Sequence, residues 1–189
     1  GVHITADINY RTNLWKFGLD PRDVLFRMLQ YSDMIFGDQN EWEVASGVQK
    51  IPFTAVDSNF KVDREAYMDY FHKMHRLFPR CKKMVLALRN QLSSRHHILT
   101  GLLYDVKKDH LYTSRIYDIQ PIVDPMGVGD AFVAAYIHAF MKCSEDNQRD
   151  LDFALSASAL KNTISGDQNL VSEQEIIDNM TNSGGRIQR

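Results

Sequence analysis

The sequence predicts an α/β fold with a mostly parallel sheet and one antiparallel hairpin near its end, on three observations. Short apolar or alternating runs recur between stretches of helical periodicity in the first half. Two apolar runs, Ile98 to Tyr104 and Leu111 to Tyr117, are joined by the polar turn Lys107-Lys108-Asp109, which reads as a β-hairpin. Helical patterns dominate thereafter.

The elements follow in chain order. Val2 to Ile8 alternates and stops at Asn9, a short strand. Asp20 caps a helix to about Tyr31, with Pro21 in its first turn and Val24, Leu25, Met28 and Leu29 on one face. Met34-Ile35-Phe36 is a short apolar strand, and Asp38-Gln39-Asn40-Glu41 opens the next helix. A long amphipathic helix runs from about Asp63 to Phe78, where Pro79 stops it. Lys83 to Leu88 is a buried strand, and Ile119 to Val123 a strand after the hairpin. Helices then occupy about Asp130 to Lys142, Leu151 to Thr163 and Ser172 to Met180, the last begun by a Ser172-x-x-Glu175 capping box.

Composition narrows the class. Of 189 residues, 44% are hydrophobic and 24% charged, with a formal net charge of −2, the profile of a soluble globular domain. The basic runs Arg80-Cys-Lys-Lys and Lys107-Lys108 are short solvated edges, so no nucleic-acid partner is expected. Cys81 and Cys143 give no disulfide framework and no metal spacing. No apolar run reaches the roughly 18 residues of a membrane span, and no signal-peptide pattern is present. A cytoplasmic protein without membrane partners is expected.

The densest chemical signal is Asp124-Pro-Met-Gly127-Val128-Gly129-Asp130-Ala-Phe132. With 10 Gly in the chain, a Gly-x-Gly-Asp tetrad is expected about 0.05 times by chance. It reads as a sharp glycine turn opening a nearly all-apolar helix. Backbone N–H groups at such a turn lack internal partners, and the helix dipole adds positive potential, so a phosphate is attracted there. An acid beside that phosphate can take the proton of an attacking hydroxyl, which is phosphoryl-transfer chemistry. Asp130 also reads more plainly as a helix cap.

In open α/β sheets ligands lie beyond the carboxyl ends of the strands. Polar groups exceed the needs of a turn at Asp7-Ile8-Asn9-Tyr10-Arg11, at Asp38 to Glu41 and at the glycine turn. These segments resemble the ribokinase-like, or phosphofructokinase-B, sugar kinases. Their signature is Asp-Thr-x-Gly-Ala-Gly-Asp-x-Phe, matched by Asp124 to Phe132 except at two places. Asp7-Ile-Asn-Tyr-Arg-x-x-Leu14-Trp15, Ala159-Leu-Lys-x-Thr-x-x-Gly-Asp167 and Gly185-Arg-Ile-Gln-Arg189 are similar to the 2-keto-3-deoxygluconate kinase subgroup.

The resemblance implies a ribokinase-like three-layer α/β/α sandwich and ATP-dependent phosphorylation of a sugar hydroxyl, with 2-keto-3-deoxygluconate the foremost substrate. Asp130 would be the base, and Gly127, Val128 and Gly129 the anion hole. Arg11 would grip the substrate's carboxylate with two parallel hydrogen bonds, unless it serves as a surface ion pair. Asn9 and Asp167 would also touch the sugar. Arg89 and Asp124 would lie on the nucleotide side. Asp38 and Glu41 would hold Mg2+ with its waters, although Asp-x-x-Glu before a helix is equally a capping pattern. The implied cofactors are ATP, Mg2+ and a monovalent cation. The implied small-molecule partners are a sugar acid and ATP, and a homo-oligomer is left open.

Three departures stand out: Pro125 for Thr, Val128 for Ala against the phosphate turn, and Ala87 before Leu88-Arg89 for Thr. Family members are longer by more than a hundred residues. The 189 residues are therefore expected to be the C-terminal nucleotide-binding and catalytic part of one sugar-kinase domain, lacking the N-terminal half and lid, with an unprotected edge on the first strand. A truncated paralogue serving as a nucleotide-binding or assembly module, or a kinase for a neutral sugar such as ribose or fructose, is the alternative. A dinucleotide site is disfavoured because Phe132 stands at the third glycine position, and no Gly-Lys-Ser/Thr of a P-loop is present.

Overall fold

A computed structural model describes residues 2–142 and 145–181; Cys143 and the Gly185–Arg189 segment lie outside the described residues. The chain divides into two compact units. The first comprises Gly1–Pro52, Asp63–Leu86 and Leu103–Leu111, and the second Phe53–Val62, Ala87–Leu102 and Tyr112–Arg189. Six strands follow the order β1 (Thr5–Asp7), β2 (Met34–Gly37), β3 (Lys83–Ser93), β4 (His96–Asp105) and β5 (His110–Thr113), with β6 (Tyr117–Ile119) paired to β4 off this path.

In the first unit β1 pairs β2, and β2 pairs the start of β3, all in parallel. Met34, Ile35 and Phe36 are fully buried, as befits a central parallel strand covered on both faces. Asp33, just before β2, accepts the Ile4 N–H at 3.0 Å and pairs with Lys82 at 3.0 Å and Arg80 at 3.3 Å. These contacts, the Ile4 N–H foremost, hold its carboxyl well below the usual carboxylate range. The start of β2 is thereby tied to both neighbours. β1 stands at one end of the strand order, with Thr5 and Asp7 exposed, as the expected unprotected edge requires.

Helix α1 (Pro21–Leu29) begins as anticipated, with Asp20 accepting the Arg22 N–H at 2.9 Å and Pro21 leading the first turn. It packs against α2 (Gln39–Ser46). Helix α3 (Arg64–Leu77) is capped by Asp63 and ends before Pro79. Trp42 of α2 lies fully buried, edge-on to Phe71 of α3 at 5.9 Å between ring centroids. That aromatic pair fixes α2, and with it the loop that opens α2.

In the second unit helix α4 (Val128–Met141) packs on α5 (Asn147–Lys161), and α5 on α6 (Glu173–Thr181). α5 is buried along nearly its whole length, with Ala154, Ala157 and Ala159 at zero exposure, so small residues let the flanking helices approach. The Ser172–Glu175 capping box forms as read: the Ser172 N–H reaches Glu175 at 2.8 Å and Glu175 N–H reaches the Ser172 hydroxyl at 3.3 Å.

The hairpin region differs in detail from expectation. β3 continues past Leu88 to Ser93 and turns over Ser94-Arg95 directly into β4, making the sheet mixed rather than parallel through most of its width. The anticipated second arm, Leu111 to Tyr117, is split between β5 and β6. The Ser114 N–H bonds the Gly101 carbonyl at 2.9 Å, whereas Tyr117 pairs with Leu99. Arg115 and Ile116 thus lie opposite Thr100 alone, a β-bulge that shifts register by one. Single-sequence alternation cannot reveal such an insertion. No helix among the described residues is long and apolar enough to cross a membrane.

Candidate active site

The glycine turn lies in the second unit and is built from the back. Val123 and Asp124 donate their N–H groups to the Asn162 carbonyl at 2.8 and 3.3 Å, which anchors the entering chain on the end of α5. The Asp124 carboxylate accepts the Met126 N–H at 3.0 Å through one oxygen and the Gly166 N–H at 2.8 Å through the other. These two donors, with the charge of Lys161, hold the carboxyl below its ordinary range. An Asp side chain bonded to the N–H two residues on, with Pro between, is an Asx-turn. Pro125 therefore fits the turn, and its missing N–H leaves no bond of that turn unmade.

Gly127 is required twice over. Its φ of +71° is the left-handed region, and a Cβ there would stand 2.0 Å from the Asp167 carbonyl oxygen. The turn and the loop around Asp167 thus meet backbone to backbone. Val128 follows with its side chain buried and its carbonyl accepting the Ser158 hydroxyl at 3.1 Å. The branched side chain expected against the phosphate turn is instead taken into the interior.

Gly129 has no such reason to be glycine. A Cβ there would meet no atom within 4 Å, and its φ lies outside the left-handed region. Space stands open above it. Gly127 is the N-cap of α4 and offers no side-chain cap, and the first intrahelical bond is Ala131 N–H to Gly127 carbonyl at 2.9 Å. The N–H groups of Val128, Gly129 and Asp130 precede that bond, so they have no partner within the helix. Asp130 is exposed in the first turn. The cap reading of Asp130 fails, because α4 starts two residues before it. Arg89 is exposed on β3. Burial first, then the Arg89 charge, depresses the pKa of His97 below its ordinary value. Asp167 is exposed, and its backbone lies against Gly127 of the turn.

The first unit carries the other predicted residues on the loops after β1 and β2. Arg11 Nη1 meets Glu41 Oε1 at 3.2 Å and its Nη2 donates to Asn9 Oδ1 at 2.8 Å. Asn9 in turn donates to Asp7 at 2.7 Å. The four residues are thus linked, and Arg11 forms an ion pair with Glu41. The guanidinium remains 59% exposed, open to a further anion.

Asp38 and Glu41 form a complete capping box. Asp38 Oδ1 accepts the N–H of Asn40 and Glu41 at 2.8 and 2.9 Å, and Glu41 Oε2 accepts the Asp38 N–H at 3.1 Å. Burial, then the charges of Asp38 and Asp7, pushes the Glu41 carboxyl up to about 7 against the Asp38 N–H and Arg11. Glu41 is consequently poised to give up a proton when another positive charge arrives. Among the described residues no group of three or more His, Cys, Asp or Glu could hold a metal ion.

Sequence reasoning gave no role to Lys161, Asn162 or Ser158, which support the glycine turn. A signal was present: Lys161 follows Ala154 and Ala157 at helical spacing on a buried face, an unusual place for an ammonium.

The sequence matches no protein-family model and no curated protein. Solved structures do match. A 2-dehydro-3-deoxygluconokinase from Thermotoga maritima is 26% identical with a TM-score of 0.80, over 96% of this chain and 50% of that one. A PfkB family carbohydrate kinase from Listeria grayi is 27% identical with a TM-score of 0.76, over 96% and 51%. A fructokinase from Xylella fastidiosa with bound ATP shares the fold at 16% identity and a TM-score of 0.68, over 95% and 52%. The chain spans about half the length of the structures it matches. Its fold is the ribokinase-like α/β fold of the PfkB carbohydrate kinases.

Proposed function

We propose that this ribokinase-like chain is the nucleotide-binding and catalytic part of an ATP-dependent sugar kinase, acting on 2-keto-3-deoxygluconate. The observation that carries the reading is Gly129: nothing among the described residues needs a glycine there, whereas a phosphoryl group approaching the free N–H groups of the first turn does. The turn is held from behind by Asp124, Asn162 and Ser158, so its donors are fixed before any ligand arrives.

In the transfer, the sugar hydroxyl oxygen bonds the γ-phosphorus while the bond to the β,γ-bridging oxygen breaks. The hydroxyl proton passes to the Asp130 carboxylate, and ADP leaves. The Val128, Gly129 and Asp130 N–H groups receive the charge on the transferring group. Arg11, linked to Asn9 and Glu41 but largely exposed, grips the substrate carboxylate. In this reading Arg89 faces the nucleotide and Asp167 the sugar, as the resemblance implies.

Asp38 and Glu41 fit a hydrated Mg2+, which keeps several waters and takes one or two protein carboxylates. The raised Glu41 pKa fits as well, since a nearby cation draws that proton off. When bound, Mg2+ would neutralise charge on the phosphates.

The test is ADP formation by the full-length protein with 2-keto-3-deoxygluconate, with ribose, with fructose and with no sugar. Turnover with the keto acid alone supports the proposal. Equal turnover with neutral sugars removes the carboxylate role of Arg11, and no sugar-dependent ADP with any of them removes the kinase reading.

A further inference from the structure

The second unit buries one ammonium completely. Lys161, at the last position of α5, has no exposed surface, and its Nζ donates to the Ile164 carbonyl at 3.1 Å. Burying a charge is costly unless opposite charge and hydrogen bonds compensate it. Its one hydrogen-bond partner is that carbonyl, and its charge also reaches the Asp124 carboxyl, which it helps to hold below the ordinary range.

Asp124 joins the two loops of the site. It takes the Met126 N–H from the glycine turn and the Gly166 N–H from the loop that follows α5. Lys161 completes the link from the other side by holding the Ile164 carbonyl of that same loop. Between these two ties, Gly127 lies so close to the Asp167 carbonyl that no Cβ would fit between them. Neighbouring Asn162 receives the Val123 and Asp124 N–H groups on its carbonyl and donates its own amide to Ser158. A loop carbonyl that holds a positive charge behind an anion-binding turn, near enough for a carboxylate to feel that charge, is an arrangement a bound monovalent cation could also occupy. In this chain an ammonium of the protein supplies that charge.

We infer that Lys161 is a built-in cation that positions the phosphate-binding turn, so that the turn is organised without the monovalent cation its fold family implies. The inference rests on the kinase reading for its functional consequence, but not for its structural one. Lys161 touches no reacting atom. It acts through Asp124 and residues 164–167 on the donors of Val128 to Asp130, and its charge adds to the positive potential at the helix start.

The experiment compares the full-length protein in potassium chloride and in tetramethylammonium chloride at equal ionic strength, the latter ion being too large for a carbonyl cage. Two readouts are taken: amide hydrogen exchange at Met126 and Gly166, and MgADP affinity by calorimetry. The wild type is expected to agree within about twofold between the two salts in both readouts.

Lys161→Ala is expected to speed exchange at both amides at least tenfold and to weaken MgADP at least tenfold in tetramethylammonium. Ammonium or potassium should restore part of each loss, which a purely structural lysine would not show. Where that variant fails to fold, Asp124→Asn, which keeps the size of the side chain but removes its charge, should show the same faster exchange at Gly166. A wild type whose exchange or affinity improves tenfold on adding potassium overturns the inference, as does Lys161→Ala with unchanged exchange. A wild type that binds no MgADP in either salt counts against the kinase reading, while the exchange measurements still decide this one.

Discussion

Replacing each glycine of the turn by alanine separates a glycine the fold needs from one a ligand needs. At Gly127 the new Cβ would adopt a left-handed conformation that costs a non-glycine residue roughly 1–2 kcal/mol. It would also stand 2.0 Å from the Asp167 carbonyl oxygen, a backbone atom that cannot rotate away. Overpacking of this kind typically costs about 1–3 kcal/mol. Gly127→Ala should therefore lose about 2–5 kcal/mol in urea denaturation, the sum of those two effects.

At Gly129 the same methyl meets nothing within 4 Å, and alanine is the better helix former by up to about 1 kcal/mol. Gly129→Ala should unfold at equal or higher urea. Its sugar-dependent turnover should nevertheless fall about 10²-fold or more, the scale of losing one preorganised donor to the transferring group. Stability and activity would then move in opposite directions at one position. A Gly129→Ala protein as active as the wild type, or a Gly127→Ala protein as stable, would contradict this division between the two glycines.

Other consequences are open to measurement. Arg11→Ala should weaken acidic sugars by about 1.5–3 kcal/mol, as for lost hydrogen bonds to a charged group, and leave neutral sugars unaffected in calorimetry. Glu41 has a folded pKa of about 7 against an ordinary 4.5, so the folded state binds the extra proton between those values. Its contribution to stability is complete below about pH 4.5 and fades as pH rises to 7. Glu41→Gln should remove that decline from a series of denaturant midpoints; an identical decline would place the proton elsewhere. For Asp33 the sign is reversed, because its pKa is depressed. Its stabilisation is present above the unfolded value near 3.8 and lost as pH falls. Asp33→Asn should unfold less steeply with acid in a circular-dichroism titration below pH 4.

Much of the fold was legible because local chemistry and tertiary need agree. Asp20-Pro21, Asp63 and Ser172-x-x-Glu175 announce helices in the sequence and cap them in the structure. The hairpin bulge was not legible, since alternation continues on either side of the extra residue. Nor was the start of α4: Asp130 looked like its first residue, but the Asx-Pro turn at Asp124 sets the chain into helix already at Val128. At the candidate site, several of the residues named from the sequence are joined by contacts within each unit. Asn9, Arg11 and Glu41 are joined in one unit, and Asp124, Gly127 and the backbone of Asp167 in the other. For the charge behind the turn the sequence held only the buried-face spacing of Lys161; its tie to the Ile164 carbonyl arises from the fold of the loop after α5.

Asp130→Asn is the most direct test of the account. The substitution keeps shape and removes the proton acceptor, so sugar-dependent ADP formation should fall by about 10²–10⁴. MgATP affinity should stay within about twofold, because the N–H groups of the turn are untouched. Turnover undiminished in Asp130→Asn would contradict the claim that this carboxylate takes the proton of the sugar hydroxyl.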